Sequence, residues 1–296
     1  MEGTEKVLDL LIQTGLNWSV NKLPLVSQEG FETNSFGLFR SDNNAHVGTV
    51  GNQYQVYDNY ELAEAIIQAT ESIGISATRG GELNGGKKVY IQASLPDEYV
   101  GKSALQRWVT GLNAHDATKQ IGFGSSGTVV VCQNTFHKAY GELSKFRHTM
   151  NAKERIIEFV SGMRRAIGLD EGLIERFKIM ADLPIKDEIF ARVISKAYNV
   201  DLDVKSSEIS TRQKTKLESV AKAIEIEIGL EGATLWGLFN GITRYTNHVA
   251  NVKEGRREEY LMTGAGYDTN LVAFETIMKW VEENSVGYEK ELAEIL

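Results

Sequence analysis

The sequence predicts an α+β protein: an N-terminal antiparallel sheet with packed helices, followed by an all-helical C-terminal part. Three observations predict it. Short alternating or β-branched runs, separated by turn residues, fill the first half of the chain. From Asn151 onward the apolar spacing becomes helical and stays so. Strands therefore come first and helices follow, which is the α+β order rather than the βαβ alternation of a parallel sheet. The expected division is an α+β domain over residues 1–172 and a helical domain over residues 173–296.

Residues 5–12 spell a short opening helix. Residues 18–25, 35–40 and 45–50 alternate as strands before Gly51-Asn52-Gln53, and an antiparallel meander accounts for them. Asp58-Asn59-Tyr60-Glu61 is a capping box, with an acceptor at the N-cap and a glutamate three residues on. Behind it Leu62, Ile66, Ala69 and Ile73 share one face, so 59–73 is a helix. Residues 75–78 and 87–94 form a strand pair around a glycine-rich loop, Gly80 to Gly86. That loop lacks the spacing of a phosphate cradle and joins strand to strand, so it reads as a mobile hairpin tip. Residues 107–113 are a further strand, expected to pair with the run 128–132 that follows a Gly-Ser turn.

From Gln133 the period turns helical. Phe136, Ala139, Tyr140 and Leu143 line one face, and Asn134, Lys138, Gly141 and Lys145 the opposite one. Asn151 and Glu154 cap the next helix, striped by Ile156, Ile157, Val160, Met163 and Ile167 and ended by Gly168. Helices over 173–183, 187–198, 211–228, 233–250 and 271–283 complete the chain, with Gly264-Ala265-Gly266 as a loop before the last.

A chain of 296 residues with 42% hydrophobic and 24% charged content has the composition of a globular protein with a sizeable core. No apolar run approaches the ~18 residues of a membrane span, and Met1 to Lys6 is too polar to start a secretory signal. The single cysteine, Cys132, forms no internal disulfide and fits a reducing cytoplasm. A net charge of −8 argues against a generally basic nucleic-acid binder. The distribution is uneven. Through Arg165 there are 16 basic and 17 acidic residues, and beyond it 16 and 23. Between Lys138 and Arg165 seven basic residues face three acidic ones, which makes either a local positive surface or a solvated helix face.

His115-Asp116, Cys132 and His148 are the one set that can be drawn as a metal site. No pair has the CxxC or HxxxH spacing of a zinc module, so structural hydrogen bonding is expected, with no metal, cofactor or catalytic residue. Cys132 follows three valines, a position of core packing. Asn134 either caps the helix expected there or leaves exposed amides that suit a phosphate. Lys138 and Lys145 would extend such a contact; Arg147 and His148 either continue it or complement the helix dipole. Further on, Trp236, Asn240 and Asn247 share the face opposite the apolar stripe, with Arg244 beside it. They either stack and bond a base or dock the helical part onto the N-terminal domain.

Four stretches carry a resemblance: VGTVGNQYQVYDNYELAEAI, GGELNGGKKVYIQASLP, NAHDATKQIGFGSSGTVVVCQNTFHKAYGELSKFRHT and TLWGLFNGITRYTNH. Together they resemble the phage/plasmid-like protein family catalogued as a domain of unknown function, the VCQNT and RHT blocks being the most specific. The chain departs from that family at Arg244 and Asn247, where acidic residues are common, and at His115-Asp116-Ala117-Thr118, where His-Asp-Gly-Ser is usual. The resemblance implies a protein of a mobile element in a bacterial host cytoplasm, and it implies no activity. The order of elements is also similar to that of Rad-type single-strand annealing proteins, an analogy of architecture.

The function these readings imply is a non-enzymatic protein that binds single-stranded DNA and promotes annealing or recombination for a phage or plasmid, with a homo-oligomer as one possible form. Lys138, Lys145, Arg147, His148, Lys153 and Arg155 would contact phosphates together with Asn134, and Lys87 and Lys88 would flank the track. The alternative is an accessory or anti-defence protein that binds a host protein, suggested by the acidic C-terminal part.

Overall fold

The computed structural model describes residues 2–71, 74–118, 121–129, 134–138, 152–201 and 210–284. Antiparallel sheets occupy the N-terminal half and helices the C-terminal part, the α+β class expected. The chain packs into two units. The first comprises Met1–Pro96, Arg107–Ser126 and Lys138–Leu169; the second comprises Asp97–Gln106, Gly127–His137 and Asp170–Leu296.

In the first unit, helix α1 (Glu2–Thr14) buries Val7, Leu10 and Leu11, one face at helical spacing. It ends where Gly15 takes a left-handed φ of 69° and Leu16 N donates to Leu11 O. Strands β1 (Val20–Val26), β2 (Glu32–Arg40) and β3 (His46–Gly51) form the expected meander, in the order β1-β2-β3. Helix α2 (Asn59–Glu71) starts where predicted: Asp58 N donates to the Glu61 carboxylate, and Asn59 N donates to Asp58 Oδ1. Burial pushes the Asp58 carboxyl above its ordinary range. Leu62, Ile66 and Ala69 are buried as read; Ile73 lies outside the described residues.

A five-stranded sheet follows, in the order β4 (Ala77–Leu83), β5 (Lys88–Val100), β6 (Ser103–Ala114), β7 (Gly122–Val129), β8 (Thr135–Lys138). Along β5, Val89, Ile91, Ala93 and Leu95 point into the core of the first unit, where they meet Leu62, Ile66, Trp18 and Leu38. Lys88, Tyr90 and Gln92 occupy the other face and are also buried.

The second unit is built around α3 (Ala152–Asp182) from Asp170 onward, α4 (Asp187–Tyr198), α5 (Thr211–Glu231), α6 (Leu235–Arg244), α7 (Arg257–Thr263) and α8 (Ala265–Asn284). Phe177, Trp236, Phe239 and Phe274 form its aromatic centre, with Phe177 and Trp236 4.8 Å apart. A full capping box, Ser210 with Gln213, opens α5. After α6 the backbone slips into one turn of π-helix, Tyr245–Val249.

Four expectations are corrected. The helix read from Gln133 is a strand over Thr135–Lys138, where a β-branched residue and an aromatic suit the pleated sheet. The Gly-Ser stretch before Thr128 lies within β7 and is no turn. Gly168 does not end a helix: α3 runs through it, because apolar anchors on both sides outweigh the ~1 kcal/mol cost of one helical glycine. The Gly264-Ala265-Gly266 loop is the junction of α7 and α8, with α8 starting at Ala265.

Candidate nucleic-acid interface

Among the described residues, the sequence-predicted contacts belong to several different elements. Lys87 is half-buried in the β4–β5 turn, and its carbonyl accepts from Asp116 N. Lys88 is corrected: its side chain is only 9% exposed, because β5 is covered on both faces. Asn134 is corrected too. It is 2% exposed, its Nδ2 donates to Asn240 O at 3.2 Å, and its Oδ1 has no hydrogen-bond partner, so its amide offers nothing to a backbone phosphate. Lys138 closes β8 and so is not in the helix expected there. Lys145, Arg147 and His148, like Cys132, lie outside the described residues. Lys153 and Arg155 belong to the first turns of α3.

His115 is a structural histidine. It is buried, its Nε2 lies 2.9 Å from Asn59 Oδ1, and its ring sits 5.4 Å from Trp18. Asn59 donates its Nδ2 to the carbonyls of Leu16 and Trp18, so Oδ1 accepts and His115 Nε2 donates. Asp116 accepts from Thr118 N and from the Thr118 hydroxyl. Among the described residues, no group of three His, Cys, Asp or Glu is placed to hold a metal ion, and no helix is long and apolar enough to cross a membrane.

The glycine-rich hairpin tip is packed at its C-terminal end, while Asn84 and Gly85 are exposed. Gly86, at φ 86°, is buried against Arg40 and Trp18, where an added Cβ would come within 2.7 Å of Arg40 Nη1. Arg40 grips Asp42 through two bonds of 2.9 and 2.8 Å, reaches Glu82 at 2.6 Å, and stacks 4.0 Å over Trp18. The hydrogen bonds from Arg40 hold the Asp42 carboxyl below its ordinary range.

The second face of the sheet carries the arrangement that sequence reading missed. Arg79 on β4 stands opposite Gln92 on β5, and its Nε donates to Gln92 Oε1 at 2.6 Å. Gln92 Nε2 donates to Thr110 Oγ1 at 2.7 Å and reaches Ser126 Oγ at 3.4 Å. All three relay residues are buried, whereas Arg79 is exposed and lies 3.9 Å over the ring of half-buried Trp108. The signal was present: Trp108 stood in a predicted strand, and Arg79 one residue past the end of another.

In the second unit, the tryptophan-containing helix is corrected. Trp236, Asn240 and Asn247 are buried, and α6 is covered on every side from Leu235 to Thr243, so no base stacks there. Their hydrogen bonds tie the chain to itself. Asn240 Nδ2 donates to Trp236 O, Asn247 Nδ2 to Thr243 O, and Thr246 Oγ1 to Asn270 Oδ1. Arg244 pairs at 2.9 Å with Glu227, a fully buried carboxylate whose Oε2 has no hydrogen-bond partner. One turn on, Glu231 accepts from Lys102 N and from the Ser103 hydroxyl.

Comparison with known proteins agrees with the sequence blocks. No curated protein and no solved structure matches the chain. The family described as "Domain of unknown function (DUF932)" matches residues 46–265, which include β3, α2, the five-stranded sheet and α6. A match over most of its length makes the assignment: the chain belongs to the DUF932 family.

Proposed function

We propose that the protein binds single-stranded DNA and promotes strand annealing or recombination for a phage or plasmid, acting by binding and not by catalysis. The observation that carries this reading is the run of seven basic against three acidic residues from Lys138 to Arg165, which leads from the last strand of the sheet into α3. A net-negative protein concentrates cations in one stretch at an electrostatic cost, and a polyanionic partner offsets it.

Salt-titrated binding of a labelled oligonucleotide tests it. Affinity should fall as salt rises, by roughly 0.7 log unit per log unit of salt for each phosphate contacted. Lys145→Glu with Arg147→Glu should flatten that slope. No binding at low salt sinks the proposal.

A second reading, an accessory or anti-defence protein that captures a host protein, is favoured by a different observation. Leu23, Val26 and Phe31 are exposed by 51, 59 and 70% around the β1–β2 turn, and exposed apolar side chains grouped in one place suit a protein partner. A partner retained from nuclease-treated lysate and lost on Phe31→Ser separates this reading from DNA binding.

A further inference from the structure

The polar row on the second face of the five-stranded sheet ends in an exposed cation. Gln92, Thr110 and Ser126 are buried, and their hydrogen bonds fix the direction of the Gln92 amide. Its Oε1 is thereby the acceptor that holds Arg79 Nε at 2.6 Å. Held there, the guanidinium stacks 3.9 Å over the Trp108 ring while Arg79 stays exposed. A stacked guanidinium at the edge of a sheet offers a planar cationic surface, and such planes take an unstacked nucleobase.

We propose that Arg79 and Trp108 form a stacking platform for one base of a single strand, in the sequence base, guanidinium, indole. This rests on the single-stranded DNA reading and names the site for it. Gln92 engages both ends of its amide within the protein, so it reads no base edge and the platform is indifferent to sequence. Duplex DNA keeps its bases inside the stack and offers this platform no partner.

The test compares two probes, a fluorescein-labelled dT oligonucleotide and one of equal length and charge with abasic sites at its central positions. Each is bound to the full-length parent and to Arg79→Lys, which keeps the charge and loses the plane. Arg79 is exposed, and circular dichroism checks that the variant is folded. The parent should prefer the dT probe by about 5- to 20-fold, the effect of stacking one base. Arg79→Lys should bind both probes at the abasic level with an unchanged salt slope. A parent that binds dT without preference, or a variant that keeps the preference, overturns the platform and leaves the DNA-binding reading standing. A parent that binds neither probe at low salt overturns both.

Discussion

Two glycines in the second unit should respond to the same substitution with opposite signs. Gly241, on α6, lies so close to α5 that an added Cβ would sit 2.4 Å from Ile224 Cα and 2.6 Å from Ile224 Cγ1. The first of these is backbone and cannot swing aside. Ordinary contact begins near 3.4 Å, so Gly241→Ala must part the helices by about 1.0 Å. The same pair of helices carries the Glu227–Arg244 bond at 2.9 Å, and parting them stretches this bond to a buried carboxylate. Overpacking costs about 1–3 kcal/mol and a strained charged bond adds to it, against a gain of up to ~1 kcal/mol in helix propensity. The net loss should be about 2 kcal/mol. Gly229, on α5, has open space where its Cβ would go, so Gly229→Ala keeps only the propensity gain. For a protein of this size 1 kcal/mol is roughly 2–4 °C in Tm. Thermal unfolding followed by circular dichroism should show Gly241→Ala lower by about 4–8 °C and Gly229→Ala higher by about 2–4 °C. Hydrogen exchange should rise in the α5 and α6 peptides of the first variant alone. A Gly241→Ala protein as stable as the parent would refute the close helix contact.

Two further perturbations address the first unit. Arg40→Met removes the cation between Asp42 and Glu82 and the stacking on Trp18; both carboxylates remain partly solvated, so about 1–2 kcal/mol should be lost in urea denaturation at pH 7. Because Arg40 lowers the folded Asp42 value, its contribution is present above the unfolded value near 4 and fades as pH falls through the folded one; the parent's Tm should therefore drop more steeply than the variant's on acidification below about pH 4, and parallel curves would exclude the pair as a source of stability. Asn59→Ala leaves the carbonyls of Leu16 and Trp18 and the Nε2 of His115 without their buried partner, and should lower the urea midpoint by an amount worth about 3 kcal/mol; an unchanged midpoint would mean that water replaces the amide.

The parts of the fold legible in the sequence are those set by local chemistry. The meander was marked by turn residues and α2 by its capping box. The misread parts depend on distant partners. Helical spacing over a few positions after Gln133 was weaker than sheet pairing for Thr135–Lys138, and Gly168 stayed helical because both ends of α3 are anchored in apolar clusters. Ser126 looked like turn material and is instead a buried partner of Gln92, 34 residues away in sequence. Burial misdirected the site residues in the same way. Lys88 and Asn134 were chosen for charge and spacing, and neither property shows which side of a strand or segment is covered.

The buried motif residues of the second unit bear on where a ligand can act. Asn134 belongs to the VCQNT block and Asn240 to the tryptophan-glycine helix, and the bond between them joins two stretches 106 residues apart. Glu231 at the end of α5 holds the β5–β6 turn through Lys102 and Ser103. Asn134, Asn240 and Glu231 are each at most 6% exposed, and the hydrogen bonds they make go to backbone or to another buried group. Removing one would leave its partner unsatisfied at a cost of about 1–3 kcal/mol, which suffices to fix such residues in a sequence without any ligand. Arg79 differs in its exposure: the buried relay behind it orients a guanidinium that reaches the surface. A motif that holds the chain together and a cation that the chain holds outward call for different experiments, stability for the first and binding for the second.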